Sequence, residues 1–464
     1  MDIFCTILKI SENFYETINI YPKILIIKLL EGYIMKEINM KYGQGTMQAM
    51  IEEKNLLQII ESNAFKQDKT EDEIISEALN NPIDSERLKD IVHEGETVCV
   101  IISDITRSWQ KPHKFLYKIV DELNAGGVKD EDILFISAQG THRKHTKAEH
   151  EILLGENLSK RFEVYDHDCF DEENMVYLGD TSHGTPVIVN KKAMLCDHIV
   201  LTGAIIYHFL VGWSGGKKSI LPGISSFKTI SANHSLSLND GLGSGTRECV
   251  CSGNIIGNPV HDDMLQGAAM VKPAFMFNVV MGPNGNIAGA VAGNYITAHE
   301  AGRKLVDSID GVNIKKKSDI VIASAGGAPK DINLYQSIKT LINAKEAVVD
   351  GGTIIVLARC NEGIGEVKDI NDMILNFDNM LDREKELRGN YTISKYVGYF
   401  FCETGEKYKL ILVSEIDPAL LKNTKIILAK TLEEALEIAN KGKKKDLTIN
   451  VMPHGASTLP KLVK

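Results

Sequence analysis

The sequence lacks the features that would mark a nucleic-acid-binding or membrane protein. Its 52 Lys and Arg residues are outnumbered by 62 Asp and Glu residues, and the net charge is −10. Nucleic acids and anionic membranes attract a basic surface, so this balance argues against both as partners but still allows a small anion to bind to local cations. The apolar stretch PKILIIKLLEGYI is interrupted by Lys23 and Lys28 and is too short to span a bilayer.

Paired cysteines and targeting signals are also missing. The eight cysteines are scattered without a C-x-x-C pair, and Cys249 with Cys251, alone as C-x-C, is a weak metal signal. No signal-peptide pattern is present, so the sequence is typical of a reduced, cytoplasmic protein. Residues 1–34 are expected to be an N-terminal extension, with Met35 as an internal start.

A Walker-type phosphate loop is absent although one stretch invites that interpretation. HFLVGWSGGKKSILPG, from His208 to Gly223, places two adjacent lysines beside glycines. A Walker loop needs G-x-x-x-x-G-K-[ST], and counted from Gly212 the second required glycine falls on Lys217. Lys217 and Lys218 therefore need another role.

Apolar runs of strand type alternate with helical patterns along most of the chain. TVCVIISDITRS precedes HKFLYKIVDELNAGG, DILFISAQGTHR precedes TKAEHEILLG, and KLILVSEID precedes TLEEALEIANKG. This alternation predicts βαβ units and mainly parallel sheets that are covered on both faces. We predict an α/β fold with two α/β domains, residues 35–309 and 310–464, divided near the polar segment IDGVNIKKKS and enclosing an active-site cleft.

Polar residues follow the predicted strands, where open α/β sheets bind their ligands. The candidates are Asp104, Thr106, Arg107, His142, Arg143, His208, Asp331, Asn333, Tyr335, Gln336 and Lys339. Asn333, Gln336 and Lys339 are spaced i, i+3, i+6 and so share one helix face. The shared placement predicts a binding site without naming a reaction.

Most of these residues also have an ordinary structural interpretation. Asp104 could be a turn or cap residue, and Arg107 and Lys339 could be surface charges. His142 lies in the polar loop QGTHRKHTK, where a solvated histidine is common. His208 has apolar neighbours, which suit a buried structural histidine equally well.

Two further histidines give weak metal signals. His234 in SANHS stands alone, and a single histidine is not a metal site. His167 lies between Asp166 and Asp168 in YDHDC, and an acidic surface loop is the better interpretation of that segment.

Four ordered blocks resemble the nickel-dependent lactate racemase family, over a stretch from about Ile38 to the C-terminus. HFLVGWSGGKKSILPG followed by ANHS is similar to the family's H-F-x-x-G-x-S-G-G-x-K-S-x-L-P-G and A-N-H-S, and SDITR, AQGTHR and GGAPKDINLYQSIK resemble three other blocks. The resemblance implies an isomerase in which residues 35–309 form a cofactor-binding domain and residues 310–464 a substrate-closing domain.

The resemblance also implies a cofactor, a nickel-pincer nucleotide. This group is a pyridinium-3-thioamide-5-thiocarboxylic acid mononucleotide that carries nickel and would be attached through Lys218. His234 would complete the nickel coordination, and Asp104, Thr106 and Arg107 would help to hold the cofactor. Enzymes that synthesise the cofactor in the host are implied partners.

The implied reaction is racemisation or epimerisation of a small 2-hydroxy carboxylate by reversible hydride transfer to the cofactor. His142 and His208 would be the paired acid–base residues, because imidazole can both take and give a proton near neutral pH. The substrate would be bound by Arg107, Tyr335, Gln336, Lys339 and Tyr391. Removing hydride leaves a neutral carbonyl, whereas removing a proton would add negative charge beside the carboxylate.

The sequence departs from the family pattern at two places. Ser108 replaces the proline of D-x-T-R-P, and Tyr391 stands where lactate-specific members carry a pocket tryptophan, with Tyr396 as a competing position. The predicted substrate is therefore lactate or a larger or more polar analogue.

Two alternatives come from other classes. A different metal-dependent enzyme lacks support, since no H-E-x-x-H or similar cluster occurs. A non-catalytic protein that binds a small carboxylate or a nucleotide would keep Arg107 and Lys339 but would not need Lys218, His234 and both catalytic histidines together.

Overall fold

A computed structural model describes residues 34–442 and 447–463 of the chain. The predicted N-terminal extension lies outside these residues except for Ile34. Two six-stranded sheets dominate the described residues, and helices cover their faces. The α/β fold with mainly parallel sheets is therefore confirmed.

The first sheet has the strand order β13-β12-β9-β4-β5-β6, and all neighbours are parallel except β12 and β13. Its strands are β4 (Val98–Ser103), β5 (Ile133–Ala138), β6 (Val164–Asp166), β9 (His198–Ala204), β12 (Phe275–Met281) and β13 (Ile287–Gly293). Val98 and Val100 belong to one buried cluster, and Cys99 and Ile101 belong to another. Both faces are covered, which explains the near-continuous apolar run that the sequence shows here.

The second sheet is parallel throughout, with the order β18-β17-β16-β15-β19-β3. Its strands are β3 (Leu56–Ile59), β15 (Ser318–Ser324), β16 (Val348–Leu357), β17 (Lys409–Val413), β18 (Ile427–Ala429) and β19 (Ile449–Met452). Ile320 and Ile322 face one core, whereas Val321 and Ala323 face the other. The second of these cores also includes Leu221 of the other half, so it joins the two sheets.

The remaining strands form two-stranded sheets. They are β1 (Met35–Tyr42) with β2 (Gly45–Glu52), β7 (Met175–Asp180) with β8 (Pro186–Asn190), β10 (Tyr207–His208) with β11 (Gly212–Trp213), and β14 (Gly311–Ile314) with β20 (Leu459–Leu462). The segment IDGVNIKKKS, expected to be a polar boundary, therefore contains a short strand.

The helices are α1 (Glu71–Asn80), α2 (Leu88–Ile91), α3 (Leu116–Ala125), α4 (Lys147–Leu158), α5 (Lys191–Met194), α6 (Phe227–Ser235), α7 (Pro259–Val271), α8 (Thr297–Asp310), α9 (Leu334–Lys345), α10 (Lys368–Leu375), α11 (Met380–Gly389), α12 (Ile393–Lys407) and α13 (Leu432–Asn440). Helix α4 begins with a capping box of Thr146 and Glu149, each binding the other's backbone N–H. Within the described ranges, no helix is long and apolar enough to cross a membrane.

The first described residues pack on the second sheet, whereas the predicted domain limits give them to the first half. Strand β3 pairs with β19, where Leu56 is opposite Ile449, and Met40 of the β1–β2 hairpin lies in the same core as Ile320. The division at residues 309 and 310 stays a prediction, but these contacts favour assigning residues 35–59 to the second unit.

The hairpin turn is anchored near the carboxyl end of β15. Gly43 has φ 55°, a conformation that glycine adopts without strain, and its N–H donates to Asp331 Oδ2 at 2.6 Å. The Gly43 carbonyl accepts the Ala328 N–H at 2.8 Å. The hairpin therefore supports the loop that leads from β15 into α9.

We expect Met40→Ala to lower the free energy of unfolding by about 2–5 kcal/mol, because Met40 is fully buried against the second sheet. Asn39→Ala is the matched control, since Asn39 is exposed on the opposite face of the same strand. Denaturant unfolding of the two variants measures the difference. Equal stability of the two variants would contradict the packing described here.

Candidate functional site

The residues that end β4 and β5 meet in one hydrogen-bonded group. His142 Nδ1 lies 2.6 Å from Asp104 Oδ2, although 38 residues separate them in sequence. Asp104 also caps the 3-10 turn Ile105–Gln110, because its Oδ1 accepts the Thr106 N–H at 2.7 Å and the Thr106 hydroxyl. Arg107 Nη1 donates to Thr106 Oγ1 at 3.0 Å. Two strand ends thus present an arginine and an oriented histidine together.

The Asp104 carboxylate is held in its ionised form. Burial alone would raise the pKa of Asp104, but hydrogen bonds from His142 and Thr106 and the charge of Arg107 outweigh burial and lower it. His142 remains 45% exposed in its side chain, so its free ring nitrogen is open to a ligand. This arrangement can orient His142 for proton transfer.

Lys218 reaches into the site beside His208. Its Nζ lies 3.0 Å from His208 Nε2, while His208 Nδ1 accepts the Leu210 N–H at 3.2 Å. The Nε2 atom is therefore the ring nitrogen that faces Lys218. Both residues belong to the stretch HFLVGWSGGKKSILPG, which forms β10, β11 and the 3-10 turn Gly216–Ser219.

Glycine is required at the start of the Lys218 turn. Gly215 has φ 80°, and a Cβ atom there would lie 2.5 Å from Asn278 Oδ1. The same Asn278 oxygen accepts the Gly216 N–H at 2.8 Å, which fixes the turn against β12. The glycines beside Lys218 thus serve close backbone packing, as P-loop glycines do, but around an asparagine instead of a phosphate.

Positive groups from both halves of the protein act on one another in this cleft. Burial lowers the pKa of His208 well below its ordinary value, and the charges of Lys218, His234, Arg107 and Lys339 add to that shift. Burial and the charges of Arg107 and Lys217 lower the pKa of Lys218 to about 7. Arg107, Lys218, His234 and Lys339 are therefore near enough to His208 for their charges to act on it, and Lys218 is in direct contact with it.

His234 lies on α6, which begins at its cap residue Ser226. The imidazole is 5% exposed, and its Nδ1 atom is buried without a hydrogen-bond partner among the described residues. Burial and the charge of Lys218 lower its pKa to about 3. His234 is therefore a neutral imidazole with unused bonding capacity, the form in which histidine binds a metal ion.

The second half contributes the first turns of α9. Asn333 caps this helix by accepting the Gln336 N–H at 2.9 Å, and Gln336 and Lys339 are exposed on it. Tyr335 is partly buried beside Gly365. Although Lys339 is accessible to solvent, the surrounding cleft desolvates it, and this burial and the Arg107 charge lower its pKa to about 8.

Asp331 stabilises the fold and is not part of the cleft. Its side chain is fully buried, and Oδ2 accepts backbone N–H groups of Gly43 and Arg359. The sequence placed it correctly after β15 but could not show the hairpin that it anchors.

Tyr391 packs on the helix that carries His234. Its hydroxyl lies 2.9 Å from Ser237 Oγ, and its carbonyl accepts the Ser231 hydroxyl at 3.1 Å. The ring is 4% exposed and lies 5.9 Å from the Tyr396 ring, between centroids. The substrate-binding role of Tyr391 stays a prediction, and its hydroxyl is engaged by Ser237.

Sequence reasoning missed an aromatic path that ends at His208. The Phe209 ring stacks on His208 with 4.9 Å between centroids and on Tyr396 with 6.1 Å. Phe209 was visible within the motif but carries no polar group that would have marked it. The path links His208 to the helix α12 of the second half.

The segment YDHDC is not an acidic surface loop, and that expectation was wrong. His167 is 1% exposed, and its Nε2 lies 3.0 Å from the Ser225 carbonyl oxygen. Asp166 is bound by His145 and His150, two residues that the sequence analysis did not single out.

Comparison with protein families and known proteins finds matches over nearly the whole chain. Residues 42–245 match the lactate racemase N-terminal domain, and residues 313–459 match the lactate racemase C-terminal domain. The chain is 32% identical over 438 residues to the lactate racemase of Lactiplantibacillus plantarum, covering 92% of this chain and 100% of that protein. It is 33% identical over 438 residues to the lactate racemase of Thermoanaerobacterium thermosaccharolyticum, covering 92% and 99%.

Solved structures agree with this relationship. The lactate racemase apoprotein from Thermoanaerobacterium thermosaccharolyticum superposes with a TM-score of 0.83 at 32% identity, covering 92% of this chain and 100% of that one. A Thermotoga maritima protein superposes with a TM-score of 0.59 at 18% identity, covering 86% and 100%, and shows the fold alone. Two matched domains and near-complete coverage at this identity place the chain in the lactate racemase family, a family of isomerases.

Proposed function

We propose that this protein racemises or epimerises a 2-hydroxy acid, either lactate or a larger or more polar analogue, with a nickel-pincer nucleotide attached through Lys218. The observation that carries the proposal is the convergence of Lys218, His208 and His234 with Arg107 and Lys339 in one cleft. A protein that only binds a carboxylate would have no use for a desolvated amine beside two histidines.

The residues present fit such a cofactor. A pKa of about 7 leaves a large part of the Lys218 amine unprotonated near neutral pH, which is the form that can bond covalently to the group. His234 offers a neutral, unpaired imidazole for nickel. Asp104, Thr106 and Arg107 line the approach from β4. When bound, the group would supply a hydride acceptor next to the substrate carbon.

Arg107 and Lys339 are suited to the substrate carboxylate. Arg107 and Lys339 belong to opposite halves of the protein. They lie close enough to each other for the charge of Arg107 to lower the pKa of Lys339. A carboxylate between them would relieve this repulsion, and the guanidinium can bind it with two parallel hydrogen bonds. Tyr335 and Gln336, on the first turn of α9, would complete the wall around the substrate.

His142 and His208 would move the hydroxyl proton in the two directions of the reaction. His142 is oriented by the ionised Asp104 at 2.6 Å, so it can hold a proton taken from the substrate hydroxyl. His208 is kept neutral by burial and by neighbouring cations, and a neutral imidazole is a base. Because the residues come from different loops, each can serve one face of the substrate.

The first test concerns the attachment of the cofactor. The protein should be purified without oxygen from cells that also express the cofactor-synthesis enzymes, and its intact mass and nickel content measured. We expect a nucleotide-sized adduct on the peptide containing Lys218 and about one nickel per chain, both lost in Lys218→Ala. Lys217→Arg, which keeps a cation at the neighbouring position, should retain both.

An unmodified Lys218 would overturn the proposal if the Thermoanaerobacterium thermosaccharolyticum lactate racemase becomes loaded under the same conditions. A carboxylate-binding protein would then be the better explanation of Arg107 and Lys339.

The second test follows from the lowered pKa of Lys218. In the apoprotein, the rate of acylation of Lys218 should rise about tenfold from pH 6 to pH 8 and then level off, since a pKa of about 7 is passed in that interval. An ordinary lysine amine would keep gaining about tenfold per pH unit up to its pKa near 10. Peptide mass spectrometry after brief acylation measures both. A Lys218 rate that still climbs above pH 9 would contradict the desolvated amine.

The third test concerns the carboxylate. We expect Arg107→Ala and Lys339→Ala each to lower kcat/KM for the 2-hydroxy acid by about 10- to 100-fold, because each removes a charge-assisted hydrogen bond. Lys368→Ala is the control, since Lys368 is exposed and pairs with Asp372 on the same helix. Chiral chromatography of the product follows the reaction. Unchanged kcat/KM in both variants would remove them from the substrate site.

A further inference from the structure

A compact group of two histidines and one aspartate lies behind the loop that carries Arg107. His145 Nδ1 is 2.7 Å from Asp166 Oδ1, and His150 Nε2 is 2.9 Å from the same oxygen. The two imidazole rings meet edge to face with 5.1 Å between centroids. The His145 side chain is 1% exposed, whereas those of Asp166 and His150 are 12% and 22% exposed, so His145 is the buried centre of a partly buried group.

The composition of the group matches a metal site, but its hydrogen bonds do not. The Ile105 N–H donates to His145 Nε2 at 3.0 Å. A neutral histidine that bound a metal through Nδ1 would carry its hydrogen on Nε2, where it would face the Ile105 N–H. His145 must instead carry its hydrogen on Nδ1 and donate it to Asp166. The separations of 2.7 and 2.9 Å are those of hydrogen bonds.

The hydrogen bonds of His145 reach both loops of the candidate site. Ile105 stands between Asp104, which holds His142, and Thr106, which holds Arg107. His145 itself follows His142 by three residues in the same loop. Its own N–H donates to Asp166 Oδ2 at 2.7 Å, so the carboxylate at the end of β6 fixes both the backbone and the ring of His145.

Gln139 closes the same loop from its other end. Its Nε2 donates to the Arg143 carbonyl at 3.0 Å and lies 3.1 Å from His145 Nδ1, which donates its hydrogen to Asp166 and so takes none from Gln139. Gln139 on one side of His142, and Arg143 and His145 on the other, are thereby held in place by hydrogen bonds. Two bonds cross from this segment to the Asp104 loop: His142 Nδ1 with Asp104 Oδ2 at 2.6 Å, and the Ile105 N–H to His145 Nε2 at 3.0 Å.

We propose that His145 is a positioning residue, which registers the loop of Asp104, Thr106 and Arg107 against the loop of His142 through the Ile105 N–H. Asp166 keeps the imidazole in the tautomer that can accept this bond, and His150 holds Asp166. The inference deepens the proposed function, on which it rests, because it concerns the placement of the carboxylate-binding arginine and one acid–base histidine.

Two substitutions of His145 test the hydrogen bonds of its two ring nitrogens separately. In His145→Gln, the side-chain oxygen reaches about as far as Nε2 and can still accept the Ile105 N–H. In His145→Asn, the shorter amide reaches only as far as Nδ1, so it can still donate to Asp166 but leaves the Ile105 N–H without an acceptor. Both lose the imidazole, and they are therefore matched for general damage to the cluster.

Amide hydrogen exchange in the full-length apoprotein is the first readout, because it needs neither cofactor nor substrate. We expect the peptide containing Ile105 to exchange about tenfold faster in His145→Asn and within about threefold of the wild-type rate in His145→Gln. The peptides of β15 and β16 in the second sheet should be unchanged in both. Acceleration of equal size in both variants, in step with a lower melting temperature, would reduce His145 to a structural residue and overturn the proposal.

Kinetics of the loaded enzyme give the second readout. We expect His145→Asn to lower kcat/KM about tenfold or more and His145→Gln to restore it to within about threefold of the wild-type value. The opposite order would show that the bond to Asp166 matters instead of the bond to Ile105. If the wild-type enzyme does not racemise any 2-hydroxy acid, the proposed function fails while the exchange result still decides the role of His145.

A metal titration distinguishes the remaining alternative. Nickel and zinc chloride should be titrated separately into the apoprotein and into His150→Ala, which removes one potential ligand but leaves His145 and Ile105 in place. We expect the same metal stoichiometry for both proteins. One additional equivalent bound by the wild-type protein and lost in His150→Ala would make the group a metal site and overturn the proposal.

Discussion

The repulsion among cations in the cleft is the constraint on which the rest of the site depends. The charge of Arg107 acts on both Lys218 and Lys339, which lie on other elements, and burial desolvates both lysines. Such charges are costly to hold together in a medium of low dielectric constant. The protein lowers the cost because Lys218, with a pKa of about 7, loses its proton in part near neutral pH, whereas Lys339, with a pKa of about 8, and Arg107 keep most of their charge. In the proposed function, a substrate carboxylate would bind to the charged Arg107, and the cofactor would bond to the unprotonated form of Lys218.

Two mainly parallel sheets, which helices cover, hold these charged residues near one another. Arg107 and His142 follow β4 and β5 of the first sheet, whereas Lys339 lies on the helix that follows β15 of the second. The aromatic path from His208 through Phe209 to Tyr396 crosses between the halves. Side chains that contact a candidate catalytic histidine therefore take part in the packing between the halves.

Much of this arrangement could be predicted from the sequence, and the successes share a cause. Strands such as β4 and β15 are apolar throughout because both of their faces are buried, so a local pattern identified them. The polar residues at their carboxyl ends then followed from the geometry of parallel sheets. The family resemblance suggested the proposed roles of Lys218 and His234, which spacing alone could not give.

The failures concern contacts between distant segments. Strand β3 pairs with β19 across almost the whole sequence, and nothing within Leu56–Ile59 reveals which sheet it will join. His145 gave no signal, because its tautomer is determined by the Ile105 N–H and by the Asp166 carboxylate, which both come from other segments. His167 was misjudged because its acidic neighbours are occupied elsewhere, while its own ring is buried against Ser225 and Asn190.

The pairing of β3 with β19 has a consequence for how the chain is made. A ribosome releases Leu56–Ile59 long before Ile449–Met452, so β3 has no partner strand while the residues between the two segments are synthesised. The first sheet lies entirely between these two segments and can close beforehand. At a stage when the first sheet can already be complete, β3 therefore still lacks its partner strand, and the hairpin before it still lacks the completed sheet on which it packs.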